Sequence, residues 1–152
     1  MKSCPECGAI FTKRRSAADH RRFFALLAAA RLQWPHSHAF QAASDDAFRA
    51  WLLIRAGHID VEHVAYPTYC DTTTAKTIFR AAVESTHAAM DRRRPYSETR
   101  VSAHGIDLIT ARSIDWRTLS QKEFGPIREA CEQIIEEIVG VEADRLLKER
   151  AA

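Results

Sequence analysis

The chain lacks any apolar run approaching the roughly 20 residues needed to cross a bilayer. Its nearest candidate, "FFALLAAARL" at 23–32, is too short and carries arginines beside and within it. Glycine is scarce as well: five residues, scattered, leave no Gly-rich loop to cradle a nucleotide's phosphates. A G-x-S-x-G elbow and an H-E-x-x-H pair are also missing. The N-terminus does not read as a secretory signal, because Cys4 and Cys7 fall where an apolar stretch should begin. These absences predict a cytoplasmic protein. In that reducing setting four cysteines suggest metal ligation or plain packing rather than disulfides. Cys70 and Cys131 are isolated and read as buried thiols.

A strong excess of one charge is missing too. The formal net charge is +2, too small to imply a polyanionic partner by its sum. The distribution says more. Lys13, Arg14, Arg15, Arg21 and Arg22 form one basic cluster and Arg92, Arg93 and Arg94 another. Acidic residues collect near the C-terminus, from Glu129 to Asp144. With 46% hydrophobic and 28% charged residues, the balance is that of a globular domain, not a disordered chain.

What is present falls into recognisable elements. Residues 1–13 read as a cysteine knuckle, "CPECG" followed by an extended "AIFT". Ser16 is a good helix N-cap with Asp19 three residues on. Phe23, Leu26, Leu27 and Ala30 then recur at helical spacing until Pro35 stops the helix. A second helix is expected over 45–56, capped by Ser44 and closed by Gly57. "HIDVEHVAY" alternates as a strand, with a short helix as the alternative. "DTTTAKTIFRAAVESTHAAMD" predicts a third helix, and "ETRVSAHGIDLITARSI" a hairpin turning at His104-Gly105. "SQKEFGPIREACEQIIEEIVG" gives the clearest local signal, with a Ser120–Glu123 capping box, an amphipathic stripe and Gly140 as its stop. Gly125 and Pro126 fall in its first turns, where proline costs least. A short charged helix, "EADRLLKER", closes the chain. The expected class is α+β: three to four helices on a small antiparallel sheet, with the knuckle at 1–13 and one domain over 14–152.

The knuckle is a zinc signal, because proline and glycine shape a turn that lets both thiolates reach one metal. One knuckle supplies two ligands where a structural tetrahedral site needs four. His20 stands where a finger's first histidine would, and Phe11 at finger spacing, but Phe24, Ala25 and Leu26 occupy the stretch for the next ligand. Cys4, Cys7 and His20 are thus the candidate ligands of a structural zinc, with His36, His38 or Cys70 as candidates to complete it. The alternative is a knuckle joined to an unrelated helix. His58 and His63, five apart, do not share a face of a strand. Asp45 and Asp46 beside "HSH" at 36–38 form only a generic nuclease constellation.

The basic cluster opens the first helix, where unpaired N–H groups add positive potential, and it adjoins Phe23 and Phe24. Cations interleaved with aromatics are what single-stranded nucleic acid binding uses. Against this stands the plainer reading of phenylalanines in the core and arginines in solvent.

The stretch "RRSAADHRRFFALLAAARLQWP" resembles the first-helix segment of the phage NinB (Orf) recombination group and its prophage relatives. "ARSIDWRTLSQKEFGPIREACEQII" resembles their C-terminal motif, and "FRAWLLIRAG" a middle segment of the prophage relatives. Together these cover about half the chain, in matching order. With no catalytic constellation read from the residues, a non-catalytic role is expected. The resemblance implies a homodimer that binds single-stranded DNA and cooperates with single-strand-binding protein in recombination. It places that role on Arg14, Arg15, Ser16, His20 and Arg21, and on Arg112 and Ser113. On that resemblance His20 can be a helix-motif residue and need not be a metal ligand, and both readings of it stand. The knuckle and residues 58–105 depart from the group's pattern. A second class of function is a phage factor docking on a host protein through the acidic helix at 129–144.

Overall fold

The computed structural model describes residues 16–90, 96–115 and 119–151. The element order is α1 (Ala17–Leu32), α2 (Asp45–Arg55), β1 (Ile59–Ala65), α3 (Thr73–Met90), β2 (Ser97–Val101), β3 (Gly105–Ala111), α4 (Gln121–Val139) and α5 (Ala143–Ala151). The class is α+β. Each of the five segments read as helical is a helix, so the expected total of three to four falls short: the charged C-terminal segment counts as a full element, with its Leu146 fully buried. The knuckle at 1–13 lies outside the described residues.

The helix boundaries follow from their caps. Ser16 is extended and its hydroxyl accepts from the backbone N–H groups of Ala18 and Asp19. Ser44 accepts from Ala47 N–H in the same way. At Ser120 the capping box is complete: its side chain accepts from Glu123 N–H, and the Glu123 carboxylate accepts from Ser120 N–H. Gly140 ends α4 in the left-handed region, at φ 75°, where a side chain would be strained. Pro126 departs from expectation. It sits six positions into α4, past the turn whose amides need no helical acceptor, so the Lys122 carbonyl loses its usual donor.

Two compact units divide the chain. One joins the chain up to Ala39 with the chain from Ser113 onward; the other is Phe40–Arg112. The first unit contains α1, α4 and α5 packed on one another. Phe23 and Phe124, both fully buried, meet edge to face at 5.4 Å. Leu26, Cys131, Ile135 and Leu146 are buried with them. Burial, and secondarily the charge of Glu132, push the Cys131 thiol up to about 12, so it stays protonated and packs as a small hydrophobe.

The second unit holds an antiparallel sheet of order β1-β3-β2. Its rows include Val61–Ile109–Glu98 and His63–Asp107–Arg100 on one face, and Glu62–Leu108–Thr99 on the other. α2 packs against β3 on part of the first face, with Trp51 and Leu52 buried and Arg55 reaching Glu98, while Val61, His63 and Arg100 on that face stay exposed. α3 reaches the second face, where the Thr99 hydroxyl donates to Glu84 at 2.6 Å. β3 lies centrally, and Ile106, Leu108, Ile109 and Thr110 are all buried. "HIDVEHVAY" is therefore a strand, and the hairpin forms as expected. Its turn, however, sits on Ala103-His104, closed by Ser102 N–H donating to Gly105 C=O. Gly105 has no positive φ. It is needed for closeness: a Cβ there would run into the Val64 carbonyl and stand 2.9 Å from both Ala65 Cα and the His63 ring.

Candidate nucleic-acid interface

α1 carries the described part of the basic cluster, and its N-cap fixes how those side chains are dealt out. The Ser16 hydroxyl is used by its own helix, while its backbone N–H donates to Gln121 Oε1 at 3.1 Å. Gln121 in turn donates to Asp19 at 2.8 Å. The starts of α1 and α4 are thereby joined, and both caps use amides that an anion would otherwise take. Asp19 and Glu123 add negative charge to the two first turns.

Arg21 and Arg22 then diverge. Arg22 donates to Glu132 on α4 and to Asp144 in α5, each at 2.6 Å. Its pKa is raised further, first by the Asp144 hydrogen bond and, against the opposing effect of burial, by Glu132. It is a tie between helices. Arg128 adds to the same network, facing Asp19 at 3.8 Å, Glu129 at 3.5 Å and Glu132 at 3.7 Å. Arg21, one residue earlier and about 100° around the helix, is exposed and makes no ion pair among the described residues. His20 is half-buried, with its ring 4.7 Å from that of Phe24. Of the two phenylalanines, Phe23 is in the core and Phe24 is half-buried.

The second predicted motif is placed differently. Arg112 belongs to the sheet unit, where its Nε donates to Asp60 at 2.9 Å and its backbone N–H to His58 C=O. The Ser113 hydroxyl accepts from Asp115 N–H. Lys13, Arg14, Arg15, Arg92, Arg93, Arg94, Cys4 and Cys7 lie outside the described residues. Among the described residues no three of His, Cys, Asp and Glu converge, around His20 or elsewhere, as a metal site would require.

Three features escaped the sequence reading. His63 Nδ1 lies 2.7 Å from Asp107, a pair across two strands that only the register creates. Arg55 stands 5.3 Å over Trp51 while donating to Glu98, which also accepts from Tyr96 Oη at 2.9 Å. Finally, the acidic stretch 129–144 is divided between α4 and α5 rather than forming one helix, and several of its carboxylates are engaged within the fold: Glu132 and Asp144 hold Arg22, Glu136 accepts from Ala143 N–H and Glu137 from Gln133. No described helix is long and apolar enough to cross a membrane. Compared with known proteins, the chain matches no family model, no curated protein and no solved structure.

Proposed function

We propose that this chain is a non-catalytic nucleic-acid-binding accessory protein of phage type. It holds single-stranded DNA through Lys13, Arg14, Arg15 and Arg21, with the Arg92–Arg94 run as a second set of phosphate contacts. The observation that carries the reading is the divergence of neighbours on α1. Arg22 is committed to two carboxylates, whereas Arg21 leaves its guanidinium exposed on the helix that directly follows the Lys13–Arg15 run. Arg22, Arg112 and Ser16, each engaged within the fold, drop to supporting roles. The sequence resemblance points the same way. Zinc at the Cys4–Cys7 pair belongs to the proposal as a structural element, checked by metal analysis of the protein against Cys4→Ser.

The test is anisotropy of a labelled single-stranded oligonucleotide at two salt concentrations. Each phosphate contact released lowers log affinity by about 0.7 per decade of salt on single strands. Arg21→Glu is expected to weaken binding on the order of five- to tenfold at low salt and to flatten the salt slope by about one contact, with no loss of stability. Absence of binding at low salt, or wild-type affinity in Arg14→Ala/Arg15→Ala/Arg21→Glu, overturns the reading.

A further inference from the structure

β2 is an edge strand: β3 pairs with one side of it, and no strand among the described residues pairs with the other. The hydrogen-bond phase of the hairpin shows which backbone groups face outward. Ser102 N–H donates to Gly105 C=O, and hydrogen-bonded and non-hydrogen-bonded pairs alternate along an antiparallel ladder. With Val101 opposite Ile106 and Arg100 opposite Asp107, residues 98, 100 and 102 turn their backbone groups toward β3. Ser97, Thr99 and Val101 therefore turn theirs to the open edge.

The side chains on this edge are arranged symmetrically about Thr99. Glu98 and Arg100 flank it and share one face of the sheet. Arg100 is exposed and makes no ion pair among the described residues. Its cross-strand neighbour Asp107 is taken by His63 at 2.7 Å. The phase explains the preference. His63 and Asp107 form a non-hydrogen-bonded pair, whose side chains approach most closely, whereas Arg100 and Asp107 form the wider kind. Glu98 is half-used. Arg55 and Tyr96 both donate to Oε1, which leaves Oε2 without a partner among the described residues.

We infer that β2 is the docking edge for a second copy of this chain, paired antiparallel to itself about a two-fold axis through Thr99. In that register Thr99 faces Thr99 of the other copy, and Ser97 faces its Val101. All three outward-facing residues become hydrogen-bonded pairs. Glu98 then lies opposite the other copy's Arg100 in the closer, non-hydrogen-bonded spacing, and the symmetry makes the contact twice. Arg100 gains the carboxylate that Asp107 does not give it, Glu98 gains a donor for Oε2, and Val101, 47% exposed, is covered. The other edge does not offer this. Pairing β1 with itself about its centre sets Glu62 against Glu62, like charges directly opposite. The sheet thus joins its β2 edges and keeps its β1 edges apart.

The test is sedimentation velocity of the full chain across a wide concentration range at low salt, without oligonucleotide, so that it is independent of the nucleic-acid reading. A reversible dimer is expected. Arg100→Glu and Glu98→Arg each place like charges at both symmetric contacts and are expected to raise the dimer dissociation constant roughly tenfold or more. An equimolar mixture of these two variants restores complementary pairs and is expected to recover association. Because Glu98 also anchors Arg55 and Tyr96, a second variant guards against loss of fold. Val101→Pro deletes an outward N–H without touching the ladder to β3 and is expected to weaken the dimer with unchanged circular dichroism. A wild-type chain that stays monomeric, a dimer indifferent to both Arg100→Glu and Val101→Pro, or folded variants that do not associate on mixing overturns the proposal.

Discussion

The helical unit and the sheet unit spend charge over different spans of the chain. In the first, arginine is a long-range fastener: Arg22 joins α1 to residues more than a hundred positions away in sequence. In the second, spans of 43 to 52 positions are bridged by the ion pairs Arg55–Glu98 and Arg112–Asp60 and by the His63–Asp107 hydrogen bond, and the outermost strand keeps a cation unspent, as α1 keeps Arg21. A count of cations therefore does not measure the charge offered to a partner. Register and helix phase decide which guanidinium is structure and which is surface.

The sharpest way to break the comparison is to remove what holds the helical unit together beneath its charges. Phe23→Ala is expected to cost about 3–5 kcal/mol, the range for deleting a buried aromatic, because Phe23 is fully buried against Phe124. Denaturant titration by tryptophan fluorescence and circular dichroism measures it. Next comes Arg22→Ala, which strands Glu132, only 18% exposed, without its nearest cation. About 1–2 kcal/mol is expected after discounting for solvent, and Glu132→Gln in the same background should recover part of it. Arg112→Ala should cost at most about 0.5 kcal/mol, since both members of its pair are more than half exposed. If Arg112 matters as much as Arg22, the distinction between fastener and surface pair fails.

The pH dependence sharpens the same contrast in the sheet unit. The Thr99 hydroxyl, and after it Arg80, hold the Glu84 carboxyl below its ordinary value of 4.5. The ionised form is thus favoured by folding. Its contribution is fully present above that ordinary value and is lost as pH falls through the lower folded one. Glu84→Gln is expected to flatten the acid limb of the stability–pH curve, by the smallest amount in this series, while leaving neutral-pH affinity for oligonucleotide unchanged. Urea midpoints measured across that limb decide it.

Much of the fold was legible because its signals are local. Ser16, Ser44 and the Ser120–Glu123 box mark helix starts by chemistry confined to three or four residues, and Gly57 and Gly140 mark the stops. The alternation in 59–65 gave the strand, and the hairpin followed from two β-rich arms. Pro126 and Gly105 were misjudged for a shared reason. Each was assigned the local role its residue type usually plays, while its actual setting depends on where the element began or on what lies across the sheet. The candidate site was less legible. Nothing in "HRRFF" tells Arg21 from Arg22, because the difference lies in Glu132 and Asp144. Arg100 and Glu98 gave no sequence signal either. Their complementarity exists only once the ladder's phase is known.

The order β1-β3-β2 hangs on an atom that glycine does not have. At position 105 the neighbouring strand comes so near that even a methyl group would act as a wedge between the two backbones. The β1–β3 seam therefore leaves no room for a side chain at position 105, next to the hairpin turn. An alanine introduced there would loosen β1 from the end of the sheet opposite to the edge offered to a second chain.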